Sequence, residues 1–227
     1  MNMNKPDFFR QLGFYNPAEH GIPRITVAGC GGIGSFVVGY LTQMGMSDIT
    51  VYDNDKIESH NLPNQNFDLC QVDEYKVKAM RDSVKRRSDI DIRISPTFIT
   101  QSTKLNADIV IVGTDTIESR KVIYENAVAN GVRWLIDGRL GGEYYQVYTV
   151  NLLDINARKQ YETTLFEPEN TVELPCTAQA IIYIALQITS DIILTVKNIV
   201  MGEDVVDAIE IDRKNKTFVY NDCVFGY

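Results

Sequence analysis

Histidine is scarce in this chain of 227 residues, with only His20 and His60, and its cysteines are scattered: Cys30, Cys70, Cys176 and Cys223 form no C-x-x-C pair. Structural zinc centres are built from closely spaced His and Cys ligands, so no zinc is expected. Four isolated thiols are also too few for a disulfide framework. Basic residues are outnumbered, 22 Lys and Arg against 30 Asp and Glu, leaving a formal charge of -8. Nucleic-acid binders draw their affinity from cations that neutralise phosphates, so nucleic acid is not an expected partner. Any anionic ligand must be held locally. No run of about 18 apolar residues reads as a membrane span, and the opening Met1-Asn2-Met3-Asn4-Lys5-Pro6 lacks the apolar core of a secretory leader. A soluble, cytoplasmic protein without membrane association is expected. Internal repeats and low-complexity stretches are absent as well.

What remains is ordinary globular composition, 44% hydrophobic and 23% charged, enough for one large α/β domain. Residues 1–22 carry Pro6 and Pro17 among the apolar anchors Phe8, Phe9, Leu12 and Phe14, and read as a docking arm. Residues 23–227 read as one domain. Arg24 to Ala28 is an apolar strand running into glycines, Ser35 to Gly45 has helical spacing, and Asp48 to Asp53 is a second strand, which together make a βαβ unit. Residues 56–71 are polar and proline-broken, and Asp73 to Ser88 reads as a helix. Ile90 to Ser95, Ala107 to Gly113, Val132 to Asp137 and Tyr144 to Val150 read as further strands, with a helix from about Thr116 to Asn130. Residues 151–175 are polar, bracketed by Pro168 and Pro175, and read as a crossover loop. Residues 177–200 form the longest helical pattern, with Ile181, Ile184, Ala185, Ile188 and Ile192 three or four apart. Residues 205–220 read as a terminal hairpin. The expected fold is a doubly wound α/β domain with a mostly parallel central sheet, extended by antiparallel strands at its C-terminal end.

The glycines of Gly29-Cys30-Gly31-Gly32-Ile33-Gly34 fit G-x-G-x-x-G between a strand and a helix, where backbone N–H groups and the helix dipole hold phosphate. Asp53, at the end of the next strand, can accept hydrogen bonds from ribose hydroxyls. These residues alone point to a nucleotide and leave a nicotinamide dinucleotide and ATP both open.

Further motifs favour ATP. The stretch from Val51 through Asp53, Asp55, Asn61 and Leu62 to Gln65 resembles the D-x-D-x-V-x-x-S-N-L-N-R-Q segment of the ThiF/MoeB/HesA family of ubiquitin-activating-enzyme-like adenylyltransferases. Val72 to Lys76 resembles that family's V-G-x-x-K, Thr114-Asp115 with Arg120 its T-D-N-x-x-x-R, Asp137 to Gly142 its D-A-R-x-G-G, Pro175-Cys176-Thr177 a P-x-C-T region, and Arg10-Gln11 an N-terminal R-Q. Order and spacing agree over about 180 residues.

The resemblance implies a Rossmann-like domain that uses ATP and Mg²⁺ to adenylate the C-terminal carboxylate of a ubiquitin-like or sulfur-carrier protein. A peptide or modified-tRNA carboxylate is the alternative substrate, the tRNA version running against the acidity, and a non-catalytic half of a heterodimer is a third reading. It further implies a homodimer in which Arg10 reaches the neighbouring subunit's phosphates, Lys76 as a point charge on phosphate, Asp115 as the magnesium ligand, and nucleotide contacts from Gly29, Gly31, Gly32, Gly34, Asp53, Asp55, Asn61 and Gln65. Cys176 is the candidate nucleophile for a thioester, its pKa lowered at a helix start. Plainer roles compete at single positions. Lys76 can pair with Asp73, Asp115 can cap the following helix, Arg120 and Arg139 can form structural ion pairs, and Cys30 and Cys176 can be small packed residues. The pattern departs from the family at Asn64, where an arginine is expected, and at Asp73, where a glycine is expected.

Overall fold

Two apolar tetrads, Ile25-Thr26-Val27-Ala28 and Ile109-Val110-Ile111-Val112, are buried along their whole length. Such runs belong in the middle of a parallel sheet covered on both faces. In a computed structural model of the chain, which describes residues 6–166 and 181–221, they are neighbouring strands. β1 (Ile25–Ala28) pairs in parallel with β2 (Ile49–Tyr52) on one side and β4 (Ile109–Val112) on the other. β3 (Arg93–Ser95) extends the sheet beyond β2, and β5 (Trp134–Gly141) beyond β4, all parallel. The long β6 (Tyr144–Asn151) reverses direction, and β7 (Ala208–Asp212) and β8 (Thr217–Asn221) continue antiparallel. The order is therefore β3-β2-β1-β4-β5-β6-β7-β8, the expected doubly wound sheet with an antiparallel extension.

Strand alternation divides the core in two. Val27, Val51, Ile111, Ile136 and Val147 face one apolar layer with α2 (Gly34–Gln43), α3 (Lys76–Ser88) and α6 (Ile182–Met201). Val110, Val112, Leu135 and Val150 face the other, with α4 (Ile117–Ala129) and α5 (Ile155–Thr163). α6 is the one helix among the described residues long and apolar enough to cross a membrane. It is not an unbroken apolar run. Polar residues such as Gln187 and Asp191 break the run in sequence, while Ile184, Ile188, Ile192 and Val196, four apart, lie fully buried in the core layer.

A correction falls on the polar stretch from Asn151. Its first part is α5, not loop, because Asp154 caps it by accepting the N–H groups of Asn156 at 2.7 Å and Ala157 at 3.3 Å. Ala157, Tyr161 and Leu165 then recur every fourth residue on the buried side. Residues 167–180, which hold the remainder of that stretch and Cys176, lie outside the described residues.

The N-terminal segment docks through Tyr15, which is buried, and through Gln11, whose Nε2 donates to the Met44 carbonyl at 2.8 Å beyond the end of α2. α1 (Pro17–His20) is capped by Asn16. Phe9 and Phe14 remain 77% and 79% exposed.

Residues 96–108 pass from β3 to β4 without a helix. The polar row Arg93, Thr50 and Thr26, in register across three strands, is left to line a cleft of about 290 Å³ together with Arg24, Asp48 and Lys104. This cleft lies towards the amino ends of the strands, away from the glycine loop.

α3 begins at Lys76 rather than Asp73, because Asp73 stands at φ 72°, in the left-handed region. Its N–H donates to Ile57 O at 2.9 Å, which holds the turn in place. Glycine adopts this conformation without strain, and a β-branched residue does not. Asp73→Gly is expected to unfold at or above the wild-type temperature, and Asp73→Val to lose about 1–2 kcal/mol in denaturant titration.

Candidate active site

In an open α/β sheet, ligands bind beyond the carboxyl ends of the strands where the winding reverses. Here that point lies between β1 and β4, whose chains leave in opposite directions, towards β2 and β5. The exit of β1 is the glycine loop. Gly29 has φ 92°, and a Cβ there would stand 2.7 Å from the Gly113 carbonyl oxygen at the exit of β4. Gly34 opens α2 so close to the loop that its Cβ would fall 1.9 Å from Gly29 O. Both glycines are demanded by the fold. Gly31 and Gly32 are different, since a Cβ on either would find nothing closer than Gln65 Nε2 at 3.8 Å and Asn64 O at 3.5 Å respectively. Their bare faces leave room for a ligand to approach the backbone.

Asp53 closes the loop from the end of β2. Its Oδ2 accepts the Cys30 N–H at 2.6 Å and its Oδ1 the Asp55 N–H at 2.7 Å. Burial pushes its carboxyl above the usual range, against the Cys30 amide and the Lys76 charge, which hold it down. Each carboxylate oxygen retains a lone pair, so hydroxyl donors of a ligand can still be accepted. Cys30 itself is fully buried, its thiol pushed well up by burial and then by Asp53. A thiol in that state is inert, which fits a packing role.

Lys76 is buried at the start of α3, and its Nζ donates to Asp55 Oδ2 at 2.8 Å. The alternative of a solvated lysine paired with Asp73 is thereby corrected: the partner is Asp55, because the Lys76 N–H also donates to Asp55 O at 2.9 Å and sets the two side by side. An ammonium has three donors, so two remain for another anion. Asp55 itself is committed to Lys76. Asn61 is committed too, its Oδ1 accepting the Glu58 N–H at 3.0 Å in a reciprocal cap of a 3₁₀ turn. Gln65 lies over Gly31, and Asn66 ties the segment to the first turn of α2 as a double donor: its N–H donates to Ser35 Oγ at 3.0 Å and its Nδ2 to Ser35 O at 3.3 Å.

Two buried oxygens near the loop find no hydrogen-bond partner among the described residues, Asn54 Oδ1 and Gln65 Oε1. Leaving a buried acceptor unpaired costs about 1–3 kcal/mol, so such atoms cluster where a ligand completes them. Asn54 has no counterpart among the sequence expectations. Its only signal was adjacency to Asp53.

On the other side of the crevice, Asp115 is exposed after β4 and makes no hydrogen bond or ion pair among the described residues. It does not cap α4. The cap is Thr116, whose Oγ1 accepts the Ser119 N–H at 3.1 Å. Ser119 Oγ in turn donates to Thr114 Oγ1 at 2.8 Å. No group of three His, Cys, Asp or Glu side chains gathers among the described residues. Magnesium does not need one: it commonly binds through one or two carboxylates, with phosphate oxygens and water completing the octahedron. Asp115 fits that mode.

Beneath Thr114 lies a buried ion cluster. Asp137, fully buried on β5, accepts from Arg120 through Oδ1 and from Arg139 at 2.8 Å and Tyr161 at 3.0 Å through Oδ2. Arg120 also donates to Gly138 O at 3.0 Å and to Thr114 O. Arg139 reaches Thr164 O at 3.0 Å, beyond the end of α5, and lies 4.8 Å over the Tyr148 ring. Both arginines therefore make structural ion pairs. Removing one partner of such a set typically costs about 3–5 kcal/mol. Tyr161 escaped notice in the sequence because nothing distinguishes it from the chain's other eleven tyrosines.

The crevice thus brings together Gly29, Gly31, Gly32, Gly34, Asp53, Lys76 and Gln65, with Asp115 across it. Arg10 is not brought in. It is exposed on the arm, beside the end of α2 remote from the loop, and a ten-residue helix is roughly 15 Å long.

These features define a doubly wound, Rossmann-like α/β domain with its glycine loop at the switch point. The chain belongs to the ThiF family, whose sequence profile matches residues 21–220. It is 30% identical over 115 residues to the adenylyltransferase and sulfurtransferase UBA4 of Yarrowia lipolytica, a match over 48% of this chain that spans only 29% of the relative's length. Among solved structures, E. coli MccB with SeMet MccA superposes with a TM-score of 0.70 at 17% identity, covering 97% of this chain and 74% of that one. MccB with ATP superposes with a TM-score of 0.62 at 19% identity, covering 88% and 63%. At such identities these structures establish the fold.

The two classes of glycine separate in a simple experiment. Gly34→Ala is expected to lose about 3 kcal/mol or more of stability, or to fail to fold, because backbone must move. Gly32→Ala is expected to keep its unfolding temperature within a few degrees while weakening ATP binding measured by calorimetry.

Proposed function

We propose that this chain is an ATP-dependent adenylyltransferase that activates a carboxylate, the C-terminal carboxylate of a ubiquitin-like or sulfur-carrier protein. The observation that carries the reading is the crevice itself: a bare glycine loop with unpaired acceptors on one wall, a buried lysine beside it, and the unengaged Asp115 on the other. A dehydrogenase needs no such lysine and carboxylate facing each other across the phosphate position. Membership of the ThiF family and the likeness to UBA4 support adenylation.

In the proposed reaction a substrate carboxylate oxygen attacks the α-phosphorus of ATP. The new bond is the O–P bond of an acyl adenylate, the bond broken is the anhydride between α- and β-phosphates, and pyrophosphate leaves with its electron pair. Gly31 and Gly32 admit the phosphates to backbone N–H groups, and Asp53 receives the ribose hydroxyls. Lys76 keeps one donor on Asp55, which fixes its direction, and turns the others to phosphate. Asp115 would hold Mg²⁺, which supplies charge neutralisation of the phosphates. Fixed charges of this kind act without reorganising during reaction.

With Asn64 in the place of an arginine, a cation is missing from the chain's own crevice. Arg10 of a second copy supplies it in the proposed homodimer, presented between the exposed Phe9 and Leu12. Mixed dimers of Arg10→Ala with Lys76→Ala are then expected to recover about a quarter to a half of wild-type activity, from the one site that is intact. An absence of recovery sinks the cross-subunit arrangement.

ATP–pyrophosphate exchange tests the reaction. Exchange dependent on an added ubiquitin-like protein is expected, lowered about 10²-fold or more in Lys76→Ala. Exchange that instead requires a peptide or a tRNA moves the substrate class, and tight ATP binding without exchange under any acceptor identifies a nucleotide-binding subunit.

A further inference from the structure

Asp115 makes no hydrogen bond or ion pair among the described residues, yet a metal ligand must be aimed. The residues on either side of it are both held. On the C-terminal side, Thr116 is fixed as the cap of α4 by the Ser119 N–H. On the N-terminal side, Thr114 is held twice, its hydroxyl by Ser119 Oγ at 2.8 Å and its carbonyl by Arg120 Nη2. Arg120 does not float. Its Nη1 is anchored on β5, to Asp137 Oδ1 and to Gly138 O at 3.0 Å.

We infer that Arg120 is a positioning residue for Asp115: its guanidinium spans from the exit of β4 to the middle of β5 and fixes the backbone that points the Asp115 carboxylate into the crevice. This rests on the reading of Asp115 as the magnesium ligand and adds how that ligand is directed. The chemistry favours arginine specifically. Three acceptors on two separate strands' backbones and side chains, at the exit of β4 and within β5, are met by two nitrogens of one rigid planar fork, and a lysine has a single nitrogen that cannot reach all three. Supporting groups of this type typically contribute 10–100-fold to metal affinity although they never touch the metal.

The ion cluster contains its own control. Arg139 shares Asp137 with Arg120, at 2.8 Å, and is also largely buried, but it turns away to Thr164 and makes no contact with residues 114–116. A purely structural role for the cluster predicts that the two arginines behave alike. A positioning role predicts that they differ.

The experiment compares full-length Arg120→Lys and Arg139→Lys, each checked by circular dichroism and thermal unfolding. The readout is Mn²⁺ affinity in the presence of saturating ATP, followed by electron paramagnetic resonance, alongside ATP affinity in EDTA. Arg120→Lys is expected to weaken Mn²⁺ about tenfold while leaving metal-free ATP binding unchanged. Arg139→Lys is expected to unfold at a lower temperature with Mn²⁺ affinity within twofold of wild type. Unchanged Mn²⁺ affinity in Arg120→Lys, or an equal loss in both variants, overturns the inference. If Arg120→Lys does not fold, Ser119→Ala, which removes the second hold on Thr114, is expected to weaken Mn²⁺ about threefold, and no change there overturns it. Asp115→Ala separates the two levels of the argument. Should it leave Mn²⁺ affinity at the wild-type value, the metal reading falls and the inference with it. Should it abolish Mn²⁺ binding while Arg120→Lys does not weaken it, only the inference falls.

Discussion

The tightest constraint in the molecule is the approach of three glycines at the switch point of the sheet. Gly29 lies against the carbonyl of Gly113, and Gly34 lies against the carbonyl of Gly29, at distances that exclude even a methyl group. That contact sets the exit of β1, the first turn of α2 and the exit of β4 in one fixed relation. Asp53 then locks the loop from β2 through the Cys30 amide, and Asp55, two residues on, receives Lys76. A crevice with defined walls follows from backbone packing before any ligand is considered.

Charge is arranged around that packing in two layers. The inner layer, Asp137 with Arg120, Arg139 and Tyr161, is buried, and its members are tied to one another and to backbone carbonyls. The outer layer keeps spare capacity: two free donors on Lys76, an unengaged Asp115 and unpaired oxygens on Asn54 and Gln65. Saturated groups hold the scaffold, and unsaturated ones face the space between the strand exits. The distinction separates residues that look equally prominent in the sequence, such as Asp137 and Asp115, or Arg120 and Lys76.

Much of the architecture was legible in the sequence because apolar runs and glycines report directly on burial and backbone approach. The tetrads of β1 and β4 carry no other reading, and the strand, loop and helix around Gly29 to Gly34 follow from residue type. Side-chain pairing was less legible, since it depends on contacts between distant residues. Lys76 lies three residues from Asp73 in sequence, yet it pairs with Asp55 across a turn whose left-handed residue is Asp73 itself. Asp115 and Thr116 are both good capping residues, and only the backbone angle at Thr116 decides between them. α5 was hidden because its apolar face is narrow, just Ala157, Tyr161 and Leu165, within a run of charged and polar residues. The long α6 was legible as a helix, and its burial explains an apolar character that by composition alone also suits a bilayer.

The two halves of the sheet differ in how much chain separates their partners. β5 and β6, and β7 and β8, are hairpins closed by a few residues, whereas Ile25 of β1 pairs with Ile109 of β4 across about 80 residues. Local pairings are fast to form and distant parallel ones slow, because chain closure is costly before contacts repay it. The seam between β1 and β4 therefore closes the longest stretch of chain between any two neighbouring strands of the sheet, longer than the about 60 residues between the partners Tyr148 of β6 and Ala208 of β7. A ligand held at that seam would recognise only the finished sheet, so its binding energy would add to the stability of the whole chain.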